Sequence, residues 1–149
     1  MRTTILTHLL MLLAIFSVTS GCESTAETPA MPPSSQPTTI DLSTYQWQNR
    51  VIVIFAPAAT DANAVQQRTS LNADPQAIGD RDLVIVEVIG DRHHTAAVRQ
   101  QYGVPTSQFT VLLIGKDAGE KLRATEPVEP AAIFRLIDSM PMRQREMRR

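Results

Sequence analysis

Thiols are the first thing this sequence is short of. One cysteine, Cys22, stands among 149 residues. No intramolecular disulfide can form, and thiol–disulfide exchange has only that single thiol to draw on. Aromatic residues make up 5% of the chain, too few for a base-stacking surface. The formal net charge is -1, so no global field draws the chain to nucleic acid. Phosphate-cradling loops are missing too. "GKDAGEK", residues 115–121, lacks the spacing and the strand-to-helix setting of a P-loop. No nucleophile elbow surrounds Ser70 or Ser107. No cofactor motif is legible. What is present, 19% charged and 43% hydrophobic residues, is ordinary composition for one globular domain.

Long apolar runs are also scarce, and the longest stands at the beginning. After Arg2, "ILTHLLMLLAIFSV" (residues 5–18) has the length of a signal-peptide core and is short for a membrane span. "TSGC" follows at residues 19–22. This resembles a bacterial lipoprotein signal. The resemblance implies cleavage before Cys22, lipid attachment at that cysteine, and a mature chain without any thiol. Glu23, where an aspartate would mark inner-membrane retention, implies a periplasm-facing anchor in the outer membrane. Residues 23–40, "ESTAETPAMPPSSQPTTI", cannot bury enough apolar surface to offset ordering entropy and read as a flexible tether. The expected organisation is a signal peptide over 1–21, a tether over 22–40 and a domain over 41–149.

Within the domain, "DLSTYQW" reads as an entry segment that packs Leu42, Tyr45 and Trp47 on the core. "VIVIF", residues 51–55, reads as a strand buried on both faces and ended by Pro57. Thr60 or Asp61 can cap a helix over about 62–71. Asp74-Pro75 starts a short turn that ends near Gly79. "LVIVEVI", residues 83–89, is a second strand, and "GDRHH" a loop. Thr95 can cap "AAVRQQY", with Gly103 as its C-cap. "FTVLLIG", residues 109–115, and "EKLRA", residues 120–124, read as a hairpin across "KDAG", with Gly119 at positive φ. Pro130 opens a last helix with Ile133, Leu136 and Ile137 at helical spacing, ended or kinked by Pro141. The order βαβαββα predicts an α/β fold, a thioredoxin-like three-layer sandwich with a mixed sheet flanked by helices.

"RVIVIFAP", "RDLVIVEV", "FTVLLIGKDAGEKLR" and "LIDSMPMRQREM" resemble the bacterial DUF4174 family of thioredoxin-like domains over about residues 42–147. "GKDxGxK" and "MPMRxxEM" carry that resemblance most specifically. It implies the fold and an exported or membrane-associated setting, and it implies no activity. The wider likeness to thioredoxins implies a CxxC at "APAATDA", where no cysteine stands, and a cis-proline where Phe109 stands. Thiol oxidoreductase and peroxiredoxin activity are therefore not expected.

The leading expectation is a lipid-anchored domain that binds a protein or envelope partner through the 56–63 loop, the 105–109 loop and the basic tail. The alternative is non-thiol enzyme chemistry, with Asp61, Arg50, Lys116 and His93 facing one pocket. Candidate binding residues are Arg50, Asp61, Lys116, Asp117, Lys121, Arg143 and Arg145. "GKDAGEK" reads first as a solvated turn, and second as a small-anion or partner contact through Lys116, Lys121 and Arg123. His93 and His94 are adjacent and diverge, so a metal would need distant donors such as Glu87 or Asp61. Asp80 and Asp82 read as a solvated charge cluster around Arg81. Met140, Met142 and Met147 form either an adaptable apolar patch or helix-end packing.

Overall fold

The computed structural model describes residues 40–148. The signal-like run, Cys22 and residues 23–39 lie outside them. Strands β1 (Arg50–Ala56), β2 (Leu83–Ile89), β3 (Thr110–Ile114) and β4 (Glu120–Ala124) make one sheet in the order β2-β1-β3-β4. β1 and β2 run parallel, with Arg50 opposite Leu83 and Ala56 opposite Ile89. β3 runs antiparallel to β1, and β4 antiparallel to β3. The continuous apolar run of β1 has its cause here: the strand is central and every residue of it is buried.

Among the described residues five α-helices surround the sheet: α1 (Ala62–Asn72), α2 (Pro75–Gly79), α3 (His93–Tyr102), α4 (Pro130–Ser139) and α5 (Pro141–Glu146). Side chains alternate along β1, so two cores form. Ile52, Ile54 and Ala56 pack with Ala64 and Leu71 of α1 and with Ile133 and Ile137 of α4. Val51, Val53 and Phe55 pack with Val98 of α3 on the other face. This is the expected α/β three-layer arrangement with a mixed sheet. Among the described residues no helix is long and apolar enough to cross a membrane.

Several local expectations change. α3 begins at His93, so His94 lies in its first turn and Thr95 is an interior residue. The Thr95 hydroxyl accepts from the Arg92 N–H at 2.9 Å and holds the helix start from inside. Of the two possible caps on α1, Asp61 does the work, accepting from the Ala64 N–H at 3.0 Å. Trp47 does not pack on the core: it is 65% exposed, while Leu42 and Tyr45 do pack there. In the hairpin the left-handed position belongs to Ala118 (φ 61) and not to Gly119. The first half of the basic tail is helical. Met140, forced extended by the following Pro141, separates α4 from α5.

The weak amphipathicity of α1 also has a cause. The centre of its buried face is a polar residue, Gln67. Its amide donates to the Val128 carbonyl at 3.0 Å and accepts from the Val128 N–H at 2.6 Å, as a strand neighbour would.

Candidate functional site

The corner after β1 is where the thioredoxin likeness puts reactive chemistry. Residues 58–60 are exposed, but nothing nucleophilic stands among Ala58, Ala59 and Thr60 beyond one hydroxyl. Beneath them the corner is closed. Ala56 and Phe109 are both buried in the same core. Arg99 of α3, only 3% exposed, fills the space between the strand ends. Its guanidinium donates to the carbonyls of Ala56 (2.7 Å), Val88 (3.0 Å), Gly90 (3.0 Å) and Pro105 (2.9 Å). It also lies over the Phe55 ring at 5.5 Å. Burial pulls its pKa below the ordinary arginine value, with the Asp91 charge opposing. The group stays charged, satisfied by backbone dipoles in place of a carboxylate. The corner after β1 is thus closed by a structural joint.

A concave site lies at the other end of the sheet. A cavity of about 430 Å³ opens where β1 begins and β3 ends, within the range of small-molecule sites. β1 contributes Arg50. The hairpin contributes Gly115, Lys116, Asp117 and Lys121. The α4–α5 junction contributes Ser139, Met140, Pro141, Met142 and Arg145. Apart from Arg50, every one of these residues falls in "FTVLLIGKDAGEKLR" or "LIDSMPMRQREM", two of the stretches that carry the family resemblance.

Local sequence explains how the hairpin wall is built. Leu113 pairs with Leu122 but Ile114 with Glu120, so Lys121 is the extra residue of a bulge. Bulges re-aim side chains, and the Lys121 stem lies over Gly115. A Cβ at Gly115 would meet Lys121 Cε at 2.7 Å and Asp117 Oδ1 at 2.5 Å, so this glycine leaves room for the pair. Lys121 Nζ then bonds Asp117 at 2.7 Å, and that contact holds the Asp117 carboxyl below its ordinary value.

Behind the cavity a charge network joins β1, the turn before β2, the hairpin, α4 and α5. Glu146 of α5 bridges Arg50 Nη2 (3.1 Å) and Lys116 Nζ (2.9 Å). Lys116 also reaches Asp82 at 2.7 Å. Asp138 of α4 bridges Arg81 (2.6 Å) and Arg143 (3.3 Å). Arg50, 1% exposed, donates its other amine to the Arg81 carbonyl at 2.9 Å. Burial presses Lys116 toward the neutral form, but Asp82 and Glu146 outweigh it and raise its pKa. Burial likewise opposes ionisation of Glu146 and Asp138; their cationic partners win and hold both below the ordinary carboxylate range.

Backbone strain gathers at the same place. Trp47, Asp82 and Ala118 are the non-glycine residues with positive φ among those described. All three sit around Lys116. The Trp47 N–H donates to the Lys116 carbonyl at 2.7 Å. Asp82 pairs with the Lys116 ammonium, and Ala118 lies in the same turn. Such outliers persist where surrounding structure over-determines them, often at ligand sites.

The candidate residues therefore divide. Arg50, Lys116, Asp117, Lys121 and Arg145 share the cavity wall, and Arg143 stands behind it on Asp138 and Glu146. Asp61 does not join them. It follows the end of β1, about 20 Å from Arg50 at the usual strand rise. His93 follows β2, which runs parallel to β1, and so lies at the Asp61 end. The four side chains of the enzyme alternative are not brought into one pocket. Arg123 turns away to pair with Glu120 at 2.7 Å. Among the described residues no three His, Cys, Asp or Glu side chains are placed to share a metal. Sequence reasoning missed Arg99 and Gln67; Asp82, read as a solvated charge, is exposed and in addition pairs with Lys116. The one signal for the cavity was the pair of motif-like stretches that now face each other across it.

The fold is found in solved structures. The chain is similar to a 2-Cys peroxiredoxin of Plasmodium vivax, with a TM-score of 0.56 and 14% identity over 72% of this chain and 85% of that one. It is equally similar to a thioredoxin peroxidase of Plasmodium yoelii, with a TM-score of 0.56 and 16% identity over 71% and 80%. At these identities the likeness shows a shared fold. Among curated proteins it is 26% identical to coiled-coil domain-containing protein 80 of Danio rerio, over 71% of this chain. The chain spans about 15% of the length of that relative. The family model described as a domain of unknown function, DUF4174, matches residues 41–146, and the chain belongs to that family.

Proposed function

We propose that this protein is an envelope lipoprotein, anchored through Cys22, whose thioredoxin-like domain binds a partner at the cavity end of its sheet. Residues 41–146 hold no cysteine, so the domain has no thiolate with which to exchange disulfides or reduce peroxides. One observation carries the reading: the cavity, its charged wall and the strained turns meet around Lys116, at the end of the sheet away from the closed corner. The tether expected over residues 23–40 would let the domain present that end to envelope components.

Two experiments test the reading. Cys22→Ser is expected to abolish palmitate labelling of the chain, and label that persists would refute the anchor. A photo-crosslinking amino acid at Met142 is expected to capture a partner in intact cells, and one at Ala58 is not. Adducts formed from position 58 alone would place the working surface at the old redox corner.

A further inference from the structure

We infer that the cavity takes a small amphipathic anion: a carboxylate or phosphate group on a short apolar stem. The inference rests on the cavity being the working site, and it names the chemistry that enters.

The wall has four cationic side chains, Arg50, Lys116, Lys121 and Arg145, against one carboxylate, Asp117. Glu146 and Asp82, which compensate Arg50 and Lys116, are not on the wall. Arg50 and Lys116 thus have their counter-charges off the wall, while Lys121 shares it with its partner Asp117. That arrangement holds them in place without burying an uncompensated charge. Donors remain free on Lys116, Lys121 and Arg145 of the wall. An ammonium has three N–H groups. Lys116 uses two of its own, on Asp82 and Glu146. Lys121 uses one, on Asp117. Arg145 makes no ion pair among the described residues; its Nε donates to the Pro141 carbonyl at 3.2 Å.

The rest of the wall selects against a bare inorganic ion. Met140, Pro141 and Met142 present apolar surface opposite the lysines. Methionine adapts to irregular apolar ligands. A cavity of about 430 Å³ is far larger than one phosphate needs, and filling it means covering those side chains. A cation would meet the four positive groups, and a neutral ligand would leave their donors unpaired.

The test uses the full chain in phosphatidylcholine nanodiscs. Trp47 is the sole tryptophan, and its backbone N–H donates to the carbonyl of Lys116, so the residue neighbours the wall and its fluorescence is the readout. Hexanoate and hexyl phosphate are expected to give a saturable change at a concentration about tenfold or more below that of hexanol or inorganic phosphate. Hexylammonium is expected to give none. Lys121 and Arg145 are exposed, so changing both to Gln spares the fold, and the double variant is expected to raise half-saturation about tenfold or more. Arg148→Gln, outside the cavity, is expected to leave it unchanged. The inference is overturned if hexanol binds as well as hexanoate, or if the double variant binds like the parent. Replacing part of the lipid by phosphatidylglycerol separates two sources of the anion. Loss of the hexyl phosphate response assigns a lipid headgroup, and an unchanged response assigns a soluble ligand. Should crosslinking from position 142 succeed while the anions fail to bind, the ligand class falls and the site stands. Adducts from position 58 alone would remove both.

Discussion

Arg99 does at the residue scale what a disulfide or a metal does in other small domains: one group ties several chain segments together. It holds the ends of β1 and β2 and the loop before β3 through four carbonyls. Removing the guanidinium strands buried acceptors, each costing about 1–3 kcal/mol. Arg99→Met is therefore expected to lose about 3 kcal/mol or more, read as a lower urea midpoint at unchanged slope. A loss within the range of an ordinary surface substitution, about 0.5 kcal/mol, would show that the joint is not stabilising. Ala118 gives a prediction of the opposite sign. An L-residue in the left-handed region costs about 1–2 kcal/mol, and a glycine adds about 0.5–1 kcal/mol of ordering entropy. Ala118→Gly is expected to stabilise by about 0.5–1 kcal/mol, seen as a higher Tm. These residue-scale features were not legible beforehand. Arg99 reads from sequence as one more charge on a polar helix, because the carbonyls that hold it come from Ala56, Val88 and Pro105 on other elements.

Among the elements, α5 matters most, since its carboxylate Glu146 links the C-terminal helices to β1 and the hairpin. Glu146 and Asp138 have pKa values depressed in the fold. Their contribution to stability is complete above the ordinary carboxylate range of about 4 to 4.5 and is lost as the pH falls through the lower folded values. Lys116 has the opposite sign. Its raised pKa stabilises fully below the ordinary lysine value of about 10.4 and is lost as the pH rises through the folded value. A stability plateau between about pH 5 and 10, falling on either side, is the expected profile. Glu146→Gln is expected to cost about 2 kcal/mol at pH 7 and to flatten the acid limb in a denaturation series. An acid limb as steep as the parent's would exclude Glu146 as a source of it. Sequence periodicity found the strands and α4 because their buried faces are mainly apolar, with the buried polar residues Arg50 and Thr110 only at the starts of β1 and β3. It was weakest on α1, whose buried face is centred on Gln67. It missed α5, where Pro141 looks like a terminus yet, at a helix's first turn, starts a new helix.

At the scale of the whole molecule, the thioredoxin order was readable because β1, β2 and β3 are mainly apolar runs, interrupted within only by Glu87 and bounded by breakers. The position of the site was not. Arg50, Lys116, Asp117, Lys121 and Arg145 are candidates on charge alone, beside the loop after β1, but nothing in the sequence shows that residues at 50, 115–121 and 139–145 assemble into one cavity. No local pattern shows that β3 brings the hairpin back to the start of β1; the antiparallel register of those strands does. The central claim is that the domain works at this end of the sheet. Hydrogen exchange tests it most directly, measured on the chain in its native envelope and again after purification into phosphatidylcholine nanodiscs. Occupancy in the envelope is expected to slow exchange over residues 114–121 and 139–146 and to leave 56–61 unchanged. Protection at 56–61 with none at the cavity segments would contradict the account.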